Sequence, residues 1–440
     1  MKRNLHLYLI QTTLLYYRCT SYIHHSLRMN APSSSHIFYS KLLPTTSEGL
    51  DTAALLIQQG KLVAFPTETV YGLGADALNV EAVYSIFKAK GRPLTDPLIV
   101  HVCSQQQAKS LLVLTSEEES VFDCLSAKFW PGPLTLIAKS SPLIPLPVTA
   151  NTGFVGIRWP DHPIALQLLQ KCQLPIAAPS ANRFAHVSPT RAVHVLNDLG
   201  MHDIHVIDGD NDAYQLDTCK HGIESTVLKI NEYEKALQIY RHGAVTKSDI
   251  ERVLSDNNIH NWTVTIVSRI VPLTVAPKEV SAVTVGEEAP GQAITHYSPD
   301  VPCYVISQAT LLTQPSDDSI SSDTLHHAVL LDYAGTLSAL YPFILDCRDL
   351  SPSGDIAEAA RNLFDYLRWA ETVPGAKNVY VTEISTTISG SGPTSSGVNS
   401  SGTSSGNTSG NSVDALCYGV MDRIHRASSG KTLTLRIHVN

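Results

Sequence analysis

The chain has 440 residues, 43% of them hydrophobic and 16% charged, which at roughly 100 to 200 residues per domain leaves room for two or three domains. That composition excludes a collagenous, fibrous or mostly disordered polymer. Thirty-two Lys and Arg against 40 Asp and Glu give a net charge of −8, and an acidic balance argues against a dedicated nucleic-acid binder.

The first part of the chain differs from the rest. No acidic residue precedes Glu48, whereas Lys2, Arg3, Arg18, Arg28 and Lys41 are basic; the remaining 27 basic and 40 acidic residues carry a charge of −13. Residues 1–45 read as a transit-like leader, cationic and rich in Leu, Tyr, Ser and Thr. Starting at Met29 would remove most of it. The expectation is a cytoplasmic protein with a second, mitochondrial form made from the longer start. No window of about 18 uninterrupted apolar residues occurs, so no membrane span is expected. Eight cysteines, at 19, 103, 124, 172, 219, 303, 347 and 417, show no CxxC and no paired spacing with His, and read as scattered reduced thiols.

From 46 onward, short apolar runs alternate with helical patterns. Strands are predicted at 62–65, 98–102, 155–159, 175–178, 205–208, 225–230 and 237–241. A helix is predicted over 80–89, capped by Asn79 and stopped by Gly91 and Pro93. Another is predicted with Ser188 at the cap, Pro189 at its first position and Gly200 past its end. The first domain is therefore set at 46–260. A stretch without helical period, 261–299, is read as the interdomain linker. Beyond it, strands at 303–306, 328–331 and 379–384 alternate with helices at 355–369 and 415–427, giving a second α/β domain over 300–440. Between 389 and 412 every residue is Ser, Gly, Thr or Asn except Pro393 and Val398, a composition unable to offset its ordering entropy by apolar burial. It is read as a disordered insertion within that domain.

Four segments carry the chemistry. KLVAFPTETVYGLGAD (61–76) opens from a strand into a turn holding Thr67, Glu68, Thr69, Tyr71 and two glycines, at the strand end where open α/β sheets bind ligands. Lys88, Lys90 and Arg92 follow at the end of the next helix. They complement the helix dipole, or Lys90 and Arg92 hold a polyphosphate. FWPGPLTLI (129–137) precedes VGIRWPDHP (155–163), where Arg158 interrupts an apolar strand. Burying it requires a structural ion pair or an anionic ligand. PIAAPSANRFAHVSPTRAV (175–193) places Ser180 and Asn182 after a strand and before a helix, as loop punctuation or as donors to a nucleotide. GIESTVLKI (222–230) and QIYRHGAV (238–245) add Ser225, Thr226 and Arg241. HExxH, GxxxxGK[ST] and GxGxxG are all absent.

In order and spacing, PTETVYGLGADA, the K-x-R of Lys90 and Arg92, PLIVH, FWPGPLT, the S-x-N of Ser180 and Asn182, ESTV and the late arginine resemble the threonylcarbamoyl-AMP synthase family in its long form. APGQAITHYSP (289–299) is similar to that family's linker, and GVMDRIHRAS (419–428) to a helix near the end of its second domain. The resemblance implies an open, twisted α/β sheet forming the catalytic domain, 46–260, followed by a smaller Rossmann-like domain. It also implies the condensation of L-threonine, bicarbonate and ATP into threonylcarbamoyl-AMP and pyrophosphate, with magnesium carried by ATP. A separate transferase would then place the threonylcarbamoyl group on the tRNA adenosine beside the anticodon. By the same resemblance, Thr69, His101, Arg158, Ser180 and Ser225 contact threonine. Lys90, Arg92, Asp96, Asn182, Thr190, Arg241 and Tyr297 face ATP, Lys90 and Arg92 being the catalytic pair, and no residue ligates a metal directly. Any contact with the tRNA itself would be weak.

Three departures from the family pattern stand out. Asp96 occupies a position where Asn is common. The loop 208–222 is expanded. The linker has Ala293 and Thr295 where Lys and Arg are usual. Competing readings are RNA binding without catalysis, which the charge of −13 opposes, carbamoyl transfer in hydrogenase maturation, which would need zinc-finger cysteine pairs, and a disabled site with a structural role.

Overall fold

The computed structural model describes residues 41–211, 219–267, 286–290, 296–312, 320–384 and 410–438. Most of the transit-like leader, Met29, Ala293, Thr295 and the Ser/Gly tract up to 409 lie outside the described residues.

The chain begins with β1 (Leu42–Leu43) and α1 (Ser47–Gln58), then the hairpin of β2 (Leu62–Phe65) and β3 (Gly72–Asp76). There follow α2 (Val80–Lys90), β4 (Ile99–His101), α3 (Gln105–Ser110), α4 (Ser116–Phe129), β5 (Leu134–Lys139), β6 (Phe154–Arg158), α5 (Pro163–Cys172), β7 (Ile176–Ala177), α6 (Ala192–Leu199) and β8 (Ile204–Ile207). β9 (Thr226–Asn231), β10 (Ala236–Arg241), α7 (Lys247–Asp256) and β11 (Thr263–Ile266) complete this part. Its strands form one mixed eleven-stranded sheet in the order β1-β8-β2-β3-β7-β4-β6-β5-β9-β10-β11. On one side, α1 and α5 bury Leu50, Ile57, Leu168 and Leu169 against Val63, Phe65 and Ile176 of the strands.

The second sheet comprises β12 (Cys303–Leu312), β13 (Ile320–Ser321), β14 (Ala328–Asp332), β15 (Asp346–Asp349), β16 (Asn378–Thr382) and β17 (Thr432–His438), in the order β13-β17-β12-β16-β14-β15. All of its pairings are parallel. The helices α8 (Ile356–Thr372) and α9 (Gly410–Ala427) supply Leu363, Phe364, Val420 and Ile424 to one core, and short turns supply Leu325, Leu337 and Leu340 to another. Two α/β domains in succession agree with the expected fold class. Among the described residues no helix is long and apolar enough to cross a membrane, and none of the seven described cysteines forms a disulfide.

Local chemistry explains the elements that frame the cleft. Asn79 Oδ1 accepts from the amides of Glu81 and Ala82, fixing the start of α2, and Gly91 ends it at φ +64°, a left-handed position that glycine adopts without Cβ strain. Asp355 caps α8 in the same way.

Several sequence expectations need correction. The helix expected from Ser188 and Pro189 starts later, at Ala192, with Arg191 in the cap position. The Ser188 hydroxyl donates to Glu224 instead, and the Pro189 carbonyl accepts from the Tyr71 amide. The two glycines expected in the turn belong to strand β3. A Cβ on Gly74 would lie 2.8 Å from Phe65 and 2.9 Å from Ile176, so only glycine lets these strands close up. β11 lies inside the stretch read as linker and pairs in parallel with β10; 263–266 alternates Thr and apolar residues, with Val264 buried. α9 begins at Gly410, within the range assigned to the insertion.

The domains share a core. Val70, Val187 and Ile223 of the first domain and Tyr297 of the connecting segment pack with Leu363, Phe364, Val420 and Ile424.

Candidate active site

The turn between β2 and β3 is tied by one side chain. Thr67 Oγ1 accepts from the amides of Thr69 and Val70, each at 3.2 Å, and donates to the Val70 carbonyl at 2.7 Å, a local hydroxyl turn. The Tyr71 carbonyl accepts from Ala181, the Leu73 amide donates to Pro179, and Gly72 pairs with Ser180. The PTETVY turn and the Ser180 loop are thereby held side by side. The described ends of the expanded loop also reach this turn: Cys219 and His221 donate to the Thr67 and Glu68 carbonyls, and the Gly209 amide donates to the Tyr71 hydroxyl.

Arg158 ends β6 directly opposite His101, which ends β4. Its Nη1 donates to Thr69 Oγ1 at 2.9 Å, its Nε to the Gly132 carbonyl at 3.3 Å, and its Nη2 lies 2.6 Å from Glu68 Oε1. Both readings of Arg158 left open by the sequence therefore meet here: it has a structural ion pair and also faces the cleft. Burial, followed by the neighbouring Arg158 charge, pushes the His101 imidazole down to about 3, so this ring is neutral at pH 7.

One cleft is lined by Thr67, Thr69, His101, Arg158, Ser180 and Ser225, with Arg92 and Arg241 in the same wall. All five residues expected to contact threonine are thus brought together. Ser225 Oγ lies 2.8 Å from Thr135 Oγ1 and accepts from Arg241 Nη2 at 3.1 Å, while the Ser225 carbonyl accepts from Arg241 Nε at 3.0 Å. The Arg241 side chain is turned toward Ser225 where the pairing of β9 and β10 shifts register, between Ile239 and Arg241.

The expected ATP set divides. Arg92 and Arg241 line the cleft, whereas Lys90, Asp96, Asn182, Thr190 and Tyr297 do not. Lys90 Nζ donates to the carbonyls of Ser180 and Asn182, securing the loop from behind. Arg92 Nη2 pairs with Asp96 Oδ1 at 2.8 Å and donates to the Pro97 carbonyl. The negative charge of Asp96 is therefore held by Arg92. Asn182 Nδ2 donates to Arg183 and His186 carbonyls, and the Thr190 amide donates to His194. Tyr297 is buried at the domain seam, its ring 5.2 Å from that of Phe364. His296, its neighbour, lines the cleft. Burial holds Arg92 and Arg241 below their ordinary values, and burial followed by Arg92 does the same to Lys90.

Among the described residues, His101 Nδ1, His296 Nδ1, Asn182 Oδ1 and Thr190 Oγ1 are buried without a hydrogen-bond partner, whereas Arg158 Nη2 has Glu68. Native interiors rarely leave such atoms unmatched, and the first two belong to residues in the cleft wall. Buried cations held below their ordinary values and unmatched ring nitrogens favour an anionic, hydrogen-bonding ligand.

Sequence reasoning missed Glu224 and His296, both in the cleft wall. Each sits inside a family motif, as the acid of ESTV and the imidazole of HYSP, next to the residue the resemblance assigns, Ser225 or Tyr297.

Two family models match the chain, one described as Telomere recombination over residues 55–243 and one as Threonylcarbamoyl-AMP synthase, C-terminal domain, over 245–400. A threonylcarbamoyl-AMP synthase of Pyrococcus abyssi is 36% identical over 317 residues, 72% of this chain and 83% of that protein. The chain belongs to the threonylcarbamoyl-AMP synthase family. The relative from Bacillus subtilis is 39% identical, over 59% of this chain and 67% of its own length. A crystal structure of Pyrococcus abyssi Sua5 complexed with L-threonine is similar over 90% of this chain and 99% of that one, with a TM-score of 0.65 and 29% identity. Within this chain, the first family match holds every cleft residue except Pro290 and His296. The whole of α9, with β17 after it, lies beyond the second match, which ends at residue 400.

Proposed function

We propose that this cleft condenses L-threonine, bicarbonate and ATP into threonylcarbamoyl-AMP, releasing pyrophosphate and water. The observation that carries the reading is one wall holding two kinds of group. Arg158, Thr69 and His101 suit an amino acid's carboxylate and polar atoms; Arg92 and Arg241 suit a polyphosphate. The threonine complex of the structural relative supports the first assignment.

Arg158 takes the threonine carboxylate through the guanidinium N–H groups that Glu68, Thr69 and Gly132 leave over, with Ser180 and Ser225 near the remaining polar groups. His101 is neutral, so the carboxylate meets a single full positive charge and the imidazole contributes a hydrogen bond. The amine combines with bicarbonate, losing water, and a carbamate oxygen attacks the α-phosphorus of ATP. Arg92 and Arg241 stabilise the charge that builds on the phosphates, and Lys90 holds the Ser180 to Asn182 loop against them. Magnesium enters with ATP as part of the substrate. The cleft's own carboxylate, Glu224, is engaged by Ser188 and Arg423, and Asp96 by Arg92, which suits a metal held by phosphates rather than by the protein. Positioning and charge therefore account for the catalysis, and no nucleophilic side chain is required.

The product is an activated acyl-phosphate, and a separate transferase passes its threonylcarbamoyl group to tRNA. The acid-free basic leader supports a mitochondrial form beside a cytoplasmic one, tested by following tagged chains that start at Met1 or Met29.

The deciding experiment incubates the full chain with ATP, magnesium, bicarbonate and L-threonine and measures pyrophosphate release with each component omitted in turn. Release that requires both threonine and bicarbonate is expected. Release independent of either one overturns the reading.

A further inference from the structure

Arg423 lies in α9 of the second domain and is fully buried. Its Nε donates to Glu224 Oε2 at 3.2 Å, and its Nη1 donates to the carbonyls of His242 and Gly419. Glu224 precedes Ser225 and His242 follows Arg241, so one guanidinium from the second domain grips both strand ends that bring Ser225 and Arg241 into the cleft. The other oxygen of Glu224 accepts from Ser188 Oγ at 2.6 Å.

Close packing keeps this arm in place. A Cβ on Gly419 would stand 3.3 Å from Ile223, and one on Gly222 would stand 2.2 Å from the Ala360 carbonyl in α8. Both helices of the second domain therefore rest on the segment 222–225. A Cβ on Gly243 would lie 2.4 Å from the Thr226 amide, so the two strand ends are also tight against each other. The corner has little freedom except through the contact that ties it to α9.

Glu224 has a second consequence. It is a carboxylate, 6% exposed, in the wall of a cleft otherwise lined by Arg92, Arg158 and Arg241. An unpaired negative charge there would repel a polyphosphate and would be costly to bury. Among the described residues Arg423 is the arginine within ion-pair distance of it, at 3.2 Å, and Ser188 supplies only a neutral donor.

We propose that Arg423 is a positioning residue of the active site: acting through Glu224 and the His242 carbonyl, it neutralises the acid in the cleft wall and sets Ser225 and Arg241, making ATP binding depend on the docked second domain. The second domain thereby completes the first domain's site without touching substrate. This rests on the reading of the cleft as an ATP site, and the test separates the two.

The experiment uses the full chain and a double-mutant cycle of Arg423→Ala and Glu224→Gln, with ATP affinity measured by calorimetry in the absence of threonine and the ATP KM measured by pyrophosphate release. In the parent background, Arg423→Ala is expected to weaken ATP by more than about tenfold. In the Glu224→Gln background the same change is expected to cost less than about threefold, because no buried charge is left unpaired. Equal penalties in the two backgrounds overturn the proposal, since they mean that Arg423 serves docking alone. Arg423→Lys keeps the cation and serves if the alanine variant fails to fold: an ATP KM within about threefold of the parent supports neutralisation, and a rise beyond tenfold overturns it. If the parent chain binds no ATP, the functional reading itself fails, a result distinct from ATP binding without coupling.

Discussion

Arg158 Nη2 lies 2.6 Å from Glu68 Oε1, and both side chains are almost entirely shielded from solvent. A carboxylate from the turn after β2 thus holds the guanidinium at the end of β6 before any ligand arrives.

Removing Arg158 should have two separable effects. Arg158→Ala raises the threonine KM by at least about tenfold through loss of the carboxylate contact. It also leaves Glu68 buried without its partner, lowering stability by about 3 kcal/mol. Adding Glu68→Gln should restore the melting temperature and leave the threonine KM high. An unchanged threonine KM in Arg158→Ala would remove this residue from the substrate site.

Asp96 holds Arg92 at 2.8 Å, yet the Arg92 Nε bond goes to the Asp96 backbone carbonyl. Asp96→Asn keeps that carbonyl and removes the charge. The ATP KM should fall by about fivefold, roughly 1 kcal/mol of relieved repulsion. A rise in KM would mean that the carboxylate serves ATP directly, for example through its magnesium.

Stability should decline in mild acid. Burial first, then Arg158, pushes His101 down to about 3, and burial first, then Arg368, brings His194 to the same value. Both rings are neutral when folded and take up a proton on unfolding between about 3 and their ordinary 6.5. Their contribution is complete above 6.5 and shrinks as pH falls, each by up to about 1.4 kcal/mol per pH unit. His186 runs the opposite way. Burial opposes its charge, but Asp198 and Glu371 on its two nitrogens outweigh that and raise its value, so its contribution is lost as pH rises. Melting curves from pH 7.5 to 5 should show a net decline that flattens in His194→Gln. An unaltered slope would show that His194 is already charged in the folded protein.

Deleting residues 391–409 should leave pyrophosphate release within about twofold and the melting temperature unchanged, because such a composition buries no apolar area. The deletion stops short of Gly410, where α9 begins. Lost activity with an unchanged melting temperature would assign the tract a role in function.

What the sequence determined by itself is local. The Asn79 cap and the Gly91 stop of α2 were legible because each acts within one turn of chain. The strands ending in His101, Arg158 and Arg241 were legible because apolar runs mark them. The motifs named all five residues expected to meet threonine. β3 was hidden, since its glycines signal a turn, and only the pressure of Phe65 and Ile176 on Gly74 explains them. Ser188 and Pro189 carry a helix-start pattern that tertiary contacts override, the hydroxyl going to Glu224 and the carbonyl to Tyr71. Tertiary structure alone decided which charges are paired. Glu68 with Arg158, 90 positions apart, depends on burial in the first domain, and Glu224 with Arg423 across 199 residues on the meeting of two domains. Neither is written in spacing along the chain, because a charge buried away from water takes whatever partner the fold brings to it.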